Sequence, residues 1–273
     1  MLPNSLPQMF ISTFQLFMKG LKEWSLSWHL WRVRKKNWAQ KGGSSTQFLN
    51  YTVRMTDGPN FYMQYKDEFI RRIYRFEAER PNPLILDGGS NIGMSILYFK
   101  HVYPEARVIG FEPDPHIFGI LQENIAQNHL KYVTLINAGL SAQSGPVAFV
   151  PDGGAGGRLG RKENSIEVET RPLSDYLAEP VDFMKLNIEG EELPVLQEAE
   201  ANGKLRNIRE MVIEYHGWPQ EEQRLGALLD LLDRNGFRYL IDNFDNETCS
   251  VTKPPFHLPL DAPWFCLVYG RRT

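Results

Sequence analysis

A tight glycine turn directly follows a short apolar run in the stretch LILDGGSNIG, residues 84–93. This arrangement is typical of a buried strand that turns into a helix in an open α/β sheet. Ligands of such sheets bind beyond the carboxyl ends of the strands. The turn therefore predicts both a fold class and the position of a ligand site.

The rest of the chain alternates strand-like and helix-like patterns. The strand candidates are PLILDGG, RVIGFEP, VTLINAGL, VAFVPDG, SIEVETRP, VDFMKLNI, REMVIEYH, FRYLID and WFCLVYG. Helices are expected to begin near Gly93, Pro115, Ser174, Glu191 and Gln220. This alternation predicts a doubly wound, mostly parallel sheet. No helix separates the last two strands, which predicts a late antiparallel strand.

A mixed segment precedes this alternation. FLNYTVRM is expected to form a strand, and Asp57-Gly58-Pro59 a turn. DEFIRRIYRFEAE is then expected to form a helix that Pro81 ends.

The composition of the turn separates the ligands that it could hold. A phosphate-binding loop ends in Gly-Lys-Ser/Thr, and no such triplet follows Gly93. A dinucleotide turn needs glycine at its third position, where this chain has Ser90. What remains is Gly89-x-Asn91-x-Gly93, which suits a nucleoside without phosphate, such as S-adenosylmethionine.

The end of the next strand agrees with a nucleoside ligand. Glu112 follows Asp87 by 25 residues, the usual distance across a βαβ unit, and an acid there binds ribose hydroxyls. NAD enzymes use the same device, so this residue alone does not separate the ligands. LQENIAQN places Asn124 and Asn128 on one helical face, and the strand end at residues 137–141 is expected to pass the adenine ring.

Chemistry is expected where two later strands end. Lys185, Asn187, Glu189 and Glu192 lie at or just past the end of one strand, and Glu214 and His216 share one face at the end of the other. His216 is the best general base by residue type, because an ordinary histidine pKa is near ~6.5.

These residues also have structural interpretations. His216 could bond a loop carbonyl, Lys185 could pair with a carboxylate, and Glu189 could cap a helix. A third hypothesis makes Glu189, Glu214 and His216 ligands of Mg²⁺ or Mn²⁺.

A second glycine-rich stretch, PDGGAGGRLGRKENS at residues 151–165, has no helix pattern after it. We interpret it as a flap over the substrate in which Arg158, Arg161 and Lys162 contact an anionic group. The alternative is a hairpin connection with solvated charges.

The N-terminus differs in composition from the rest. Seven apolar residues recur at steps of four and three and so share one helical face: Phe10, Phe14, Phe17, Leu21, Trp24, Trp28 and Trp31. Basic residues accompany them, and Lys19, Lys22 and Glu23 interrupt any membrane span. Residues 1–40 are expected to lie on an anionic membrane surface or on a partner. The alternative is a lid helix on the body of the protein.

Overall charge and cysteine content limit the partners and the cellular location that are expected for this protein. A net charge of −3 gives no general attraction to nucleic acid, so no nucleic-acid partner is expected. Cys249 and Cys266 are too few for a zinc knuckle or a disulfide framework and are expected to be reduced. These features favour a cytoplasmic protein, membrane-peripheral if residues 1–40 bind lipid, and they are compatible with a homo-oligomer.

Six motifs, in this order and spacing, resemble the FkbM family of S-adenosylmethionine-dependent methyltransferases. They are LILDGGSNIG, GFEPDP, LQENIAQN, NAGLSAQSG, MKLNIEGEELPVL and MVIEYH, across roughly residues 80 to 220. The resemblance implies a class I methyltransferase fold and O-methylation, often of sugar or secondary-metabolite hydroxyls. It departs at Asn187, where the family more usually has aspartate, and the missing charge weakens a metal site.

The resemblance also implies roles for individual residues. Gly89, Ser90, Asn91 and Gly93 would hold the methionine portion, Glu112 the ribose, and residues 137–141, with Ala138 and Gly139, the adenine. Asp87, Pro113 and Asn187 complete the predicted cofactor-binding set. The predicted catalytic set is His216, Lys185, Asn187, Glu189 and Glu214, and S-adenosylhomocysteine would be the product.

The prediction is therefore an O-methyltransferase for a small-molecule, glycan or lipid-linked glycan acceptor. Residues 1–45 are expected to form a helical segment, 46–80 a strand-helix cap, and 81–273 the methyltransferase domain. The alternative is a catalytically silent Rossmann-like subunit that acts through a partner, which Asn187 favours. A dehydrogenase ranks third because Ser90 replaces the required glycine.

Overall fold

The computed structural model describes residues 29, 31–39, 42–154, 156–160, 163–242 and 263–272. Most of the predicted N-terminal amphipathic helix lies outside these residues, as do Arg161, Lys162 and Cys249. Within the described part, no helix combines the length and the apolarity needed to cross a bilayer.

The strands, numbered in chain order, are β1 (Ser45–Phe48), β2 (Tyr51–Arg54), β3 (Leu84–Gly88), β4 (Arg107–Phe111), β5 (Val133–Ile136), β6 (Gly139–Leu140), β7 (Gly145–Val150), β8 (Arg158–Leu159), β9 (Ile166–Arg171), β10 (Val181–Leu186), β11 (Ile208–Gly217), β12 (Phe237–Asp242) and β13 (Trp264–Arg272). The helices are α1 (residues 31–37), α2 (Gly58–Gln64), α3 (Met94–Val102), α4 (Pro115–Gln127), α5 (Glu192–Ala201) and α6 (Leu225–Arg234). A π-helical stretch, Tyr65–Arg71, continues α2.

Seven strands form the central sheet in the order β12-β13-β11-β10-β3-β4-β5. All neighbours are parallel except for β13, which runs antiparallel to both β11 and β12. This confirms the predicted α/β fold with a late antiparallel strand. The chain leaves β3 toward β4 and β5 and later returns to β10 on the other side of β3. Such a reversal of strand order opens a ligand cleft at the carboxyl edge.

Both faces of the sheet are buried, which explains the continuous apolar runs in its central strands. On β3, Ile85 packs in the cluster that includes α3 and α4, whereas Leu84 and Leu86 pack in the cluster that includes α5 and α6. Phe183 and Met184 divide β10 in the same way. The carboxyl edge is therefore held on a rigid two-sided core.

Two asparagines of α4 attach the β1–β2 hairpin to this core. The buried Asn124 accepts a hydrogen bond from the Arg54 backbone N–H at 2.8 Å and donates to the carbonyls of Arg54 and Ile92. Asn128 accepts from Thr52 N–H at 2.9 Å and donates to its carbonyl at 2.7 Å. The predicted shared face is thus confirmed, and it satisfies the free edge of β2.

The predicted turn at Asp57-Gly58-Pro59 is wrong, because these residues begin α2. The Asp57 carboxylate accepts a hydrogen bond from Asn60 N–H at 2.8 Å, and proline is tolerated in the first helical turn.

The helix expected over residues 67–79 is also misplaced. Helical structure begins at Gly58 and ends at Arg71, because Arg72 adopts the left-handed conformation with φ +58°. Pro81 therefore lies well beyond the end of the helix.

Two predicted strands, VAFVPDG and SIEVETRP, do not join the central sheet. They form the antiparallel pair β7 and β9 in a separate four-stranded sheet of order β6-β9-β7-β8. The described residues of their connection, residues 151–165, form β8 and no helix. A parallel crossover is usually a helix, whereas antiparallel neighbours need none. The helix expected near Ser174 is only a 3-10 turn at Leu173–Tyr176, and the one expected near Gln220 begins at Leu225.

Replacing Asn124 with leucine tests the attachment of the hairpin. Asn124→Leu leaves buried backbone groups without partners, which costs about 1–3 kcal/mol each. We expect urea denaturation to show a loss of about 2–4 kcal/mol in the free energy of unfolding. Gln122→Ala, at an exposed position of the same helix, is the control and should stay within ~0.5 kcal/mol of the unaltered protein. Equal stabilities of Asn124→Leu and the control would contradict this account.

Candidate active site

The loop after β3 is wedged between the ends of its two neighbouring strands. Gly89 has φ +81°, and a Cβ atom there would lie 1.9 Å from the carbonyl oxygen of Asn187. The N–H groups of Gly89 and Ser90 both donate to the Phe111 carbonyl at the end of β4. Gly93, with φ +91°, then begins α3. The predicted turn residues are therefore fixed by backbone contacts on both sides.

A buried ion pair lies beneath this loop. Lys185 Nζ is 2.9 Å from Asp87 Oδ1 and also donates to the carbonyls of Gly88 and Gly89, the latter at 2.7 Å. The other carboxylate oxygen of Asp87 accepts from Ser95 Oγ at 2.6 Å. Both charged side chains are almost inaccessible to solvent. This geometry favours a positioning role for Lys185, in line with the predicted alternative of carboxylate pairing.

Glu112 faces the cleft from the end of β4. Its Oε2 accepts from Asn91 N–H at 3.0 Å and its Oε1 from Asp114 N–H at 2.9 Å. Burial raises the pKa of Glu112 to about 7, against the two backbone hydrogen bonds that lower it. Asn137 Nδ2 donates to the Glu112 carbonyl at 2.8 Å and so joins the end of β5 to this acid.

A cavity of about 480 Å³ opens at this edge of the sheet. This volume lies within the range of about 300–1,000 Å³ that is usual for small-ligand pockets. Most of the predicted site residues line it: Gly89, Ser90, Asn91, Glu112, Pro113, Gly139, Lys185, Asn187, Glu189, Glu214 and His216. Asp87, Gly93 and Ala138 do not line it and lie behind its wall.

The imidazole of His216 lies among three carboxylates at the other end of the cavity. Its Nδ1 is 3.2 Å from Glu192 Oε1, and its Nε2 is 3.4 Å from Glu189 Oε2 and 3.6 Å from Glu214 Oε1. Burial by itself would lower the pKa of the imidazole. The hydrogen bond and charge of Glu192, with the other two carboxylates, outweigh burial and raise the pKa of His216 to about 9. The pKa of His216 therefore lies above the ordinary histidine value near ~6.5, which favours a protonated ring at neutral pH.

Glu189 has an uncommon backbone conformation and a side-chain pKa well above that of an ordinary carboxyl group. It adopts φ +58°, a conformation that is uncommon for residues other than glycine and that often marks functional sites. Burial raises its pKa to about 7. Burial also raises the pKa of Glu214. Glu189 is therefore poised to exchange a proton near neutral pH.

The predicted metal candidates do not form a metal-binding group. Among the described residues, no set of three or more His, Cys, Asp and Glu side chains is arranged to hold a metal ion. Glu189 and Glu214 contact the His216 ring instead.

Several described residues of the predicted flap, from Asp152 to Leu159, line the cavity. Asn91 Nδ2 of the turn donates to the Gly154 carbonyl at 2.8 Å. The Arg158 guanidinium lies 4.6 Å from the centre of the Trp218 ring and donates to Glu221 at 3.1 Å. Trp218 in turn stacks parallel to His216, with ring centres 5.9 Å apart. The flap therefore contacts both the loop and the His216 cluster.

The sequence analysis missed one wall of the cavity. Asn60, Gln64 and Glu68, from α2 and its π-helical continuation, line it, and so do Tyr74 and Trp218. The adjacent acids Asp67 and Glu68, within a helix-like stretch, were a signal of a functional wall. Their position at the cavity, however, depends on where the helix begins and ends.

The Methyltransferase FkbM domain matches residues 87–239, more than half of the chain. The chain belongs to the FkbM methyltransferase family. The range that matches this S-adenosylmethionine-dependent family begins at Asp87, within β3, and includes Glu112, Glu189 and His216.

Three relatives extend this FkbM assignment. Methyltransferase sdnD of Sordaria araneosa is 30% identical over 172 residues, 49% of this chain and 66% of that protein. The 2-O-methyltransferase NoeI of Sinorhizobium fredii (strain NBRC 101917 / NGR234) is 30% identical over 182 residues, 56% of this chain and 72% of that protein. The 31-O-demethyl-FK506 methyltransferase FkbM of Streptomyces tacrolimicus is 28% identical over 226 residues, 68% of this chain and 85% of that protein. This FkbM-family chain thus spans just under two thirds of the length of sdnD.

Removing the lysine from the buried pair tests its structural importance. Lys185→Met leaves the Asp87 carboxylate buried without its cation, which costs about 3–5 kcal/mol when one partner of a buried pair is removed. We expect urea denaturation to show a loss of this size. Lys131→Met, on an exposed lysine, is the control and should leave the stability unchanged. A loss below ~1 kcal/mol for Lys185→Met would show that the pair does not hold the loop.

Proposed function

We propose that this FkbM-family methyltransferase methylates a hydroxyl oxygen of a sugar, glycan or secondary metabolite. The observation that carries the proposal is Glu189, a cavity-lining carboxyl with a pKa near neutrality and a strained backbone. Hydroxyl acceptors need a base, because the oxygen is a poor nucleophile until its proton leaves. The printed names of two relatives, a 2-O-methyltransferase and a 31-O-demethyl-FK506 methyltransferase, support oxygen as the acceptor atom.

The cavity residues fit S-adenosylmethionine. Each carboxylate oxygen of Glu112 has accepted one backbone N–H and has capacity left for a ribose hydroxyl. Asn187 Oδ1 is buried at the cavity without a hydrogen-bond partner. When bound, S-adenosylmethionine supplies a methyl group on a positively charged sulfur. The carboxyl-rich lining suits that charge.

Glu189 and His216 act together in this proposal. Glu189 accepts the proton of the acceptor hydroxyl, and the His216 imidazolium donates from Nε2 toward the Glu189 carboxylate. Glu192 holds Nδ1 and so fixes the ring. His216 is therefore a positioning residue rather than the base. Lys185 holds the cofactor loop in place and takes no part in proton transfer.

Trp218 and Arg158 supply the acceptor end of the cavity. An aromatic face suits the apolar face of a sugar or a macrocycle, while the guanidinium offers donors to hydroxyl or anionic groups. A lipid-linked glycan and a membrane contact through residues 1–40 stay predictions, because most of that segment lies outside the described residues.

Transfer of a labelled methyl group to a panel of acceptors tests the proposed chemistry. The panel contains glycosides and polyketide alcohols together with amine, thiol and carboxylic acid analogues. We expect the label in ether linkages only. Label confined to nitrogen or sulfur would contradict O-methylation. Cofactor binding without any transfer would support the silent-subunit alternative.

The pH dependence of the rate tests the two proton positions. Glu189 must be ionised and His216 protonated, so the rate should rise through about pH 7 and fall above about pH 9. Glu189→Gln should lower the rate by about 10²–10⁴ and remove the rise near pH 7. Glu191→Gln, on a neighbouring acid outside the cavity, is the control and should keep the rate and the profile. A Glu189→Gln variant with full activity would exclude Glu189 as the base.

A further inference from the structure

Glu68 is a buried acid that the proposed mechanism leaves without a role. It belongs to the π-helical stretch Tyr65–Arg71, is only 6% exposed and lines the cavity. Its Oε2 atom is inaccessible to solvent and has no hydrogen-bond partner. A buried carboxyl oxygen without a donor is costly, so its persistence at a cavity wall points to a ligand that supplies the donor.

The residues around Glu68 do not bring its pKa back to the ordinary range of a carboxyl group. Burial raises its pKa well above the ordinary range, and the neighbouring acids Asp67, Asp87 and Glu214 raise it further. Lys185 lowers it, but the lysine amino group is already bonded to Asp87 and to loop carbonyls. The position therefore favours a cation that arrives with a ligand.

A second unpartnered acceptor lies in the same cavity. Asn187 Oδ1 is buried without a hydrogen bond, at the end of β10 and beside the Gly89 turn. Glu68 and Asn187 come from different elements, both residues line the cavity, and each has one buried oxygen without a hydrogen-bond partner. One ligand group with several N–H donors would satisfy both oxygens.

Asp87, an acid of the predicted cofactor-binding set, is not accessible from the cavity. Asp87 is fully buried, and its two oxygens are bonded to Lys185 and Ser95. It holds the loop from behind and has no oxygen left for a ligand. Glu68, by contrast, lines the cavity and keeps one oxygen without a partner.

We propose that Glu68 binds the α-ammonium group at the amino-acid end of S-adenosylmethionine, with Asn187 Oδ1 accepting a further N–H of the same group. This assignment rests on the methyltransferase function proposed above. The π-helical stretch serves to place Glu68 there, because single-turn π segments often occur at functional sites.

Calorimetric titration with two ligands tests this assignment. S-adenosylhomocysteine carries the amino-acid end, whereas 5′-methylthioadenosine lacks it. Glu68→Gln should weaken S-adenosylhomocysteine binding by about 10- to 100-fold, because the carboxylate charge that pairs with the ammonium group is lost. Binding of 5′-methylthioadenosine should change less than about 2-fold. Glu79→Gln, on an exposed acid of the same N-terminal region, is the control and should alter neither affinity.

A ligand series on the unaltered protein keeps the proposal testable if Glu68→Gln does not fold. Removal of the amino group from S-adenosylhomocysteine should then cost about the same 10- to 100-fold in affinity. An analogue that binds as tightly as S-adenosylhomocysteine would overturn the proposal. Equal weakening of both ligands by Glu68→Gln, or no weakening, would overturn it too.

The experiment also separates this proposal from the proposed function. If the unaltered protein binds S-adenosylhomocysteine and Glu68→Gln binds it equally well, only the assignment of Glu68 fails. If the unaltered protein binds neither ligand, the methyltransferase function fails together with it.

Discussion

The ion pair between Lys185 and Asp87 is the interaction on which the site depends. Parallel register places the two residues side by side on β10 and β3, at the point where the strand order reverses. The lysine amino group also donates hydrogen bonds to the backbone carbonyls of Gly88 and Gly89. One buried cation thus neutralises the acid and also fixes the loop that faces the cavity.

The charge of the cavity follows from this arrangement. Because Lys185 is committed behind the loop, acids dominate the side that faces the ligand, including Glu68, Glu112 and Glu189. Burial raises the pKa of each of them. Carboxyl groups in this state are costly without a partner, and a positively charged ligand relieves that cost. The same burial brings the pKa of Glu189 close to neutrality, where a general base is most effective. In the proposed function, ligand binding and proton transfer therefore both depend on the burial of these carboxyl groups.

The parts of the site that follow from local pattern could be predicted from the sequence. The turn and Glu112 depend on spacing within one βαβ unit, so both were found in the cavity. The pKa of His216 could not be predicted, because it depends mainly on Glu192 and Glu189, which lie outside β11. The wall that carries Glu68 was missed since Asp57 caps a helix that local rules assign to a turn. β7 and β9 have the patterns of central strands, and only the absence of a helix between them separates them into their own sheet.

Titration of the purified protein with S-adenosylmethionine, S-adenosylhomocysteine and NAD tests the central claim most directly. The claim is that the turn held by Lys185, together with Glu112, forms a site for a sulfonium nucleoside. We predict binding of the first two ligands alone, and its loss in Glu112→Ala, because the ribose would lose its acceptor. Binding of NAD alone, or an undiminished affinity in Glu112→Ala, would contradict the claim.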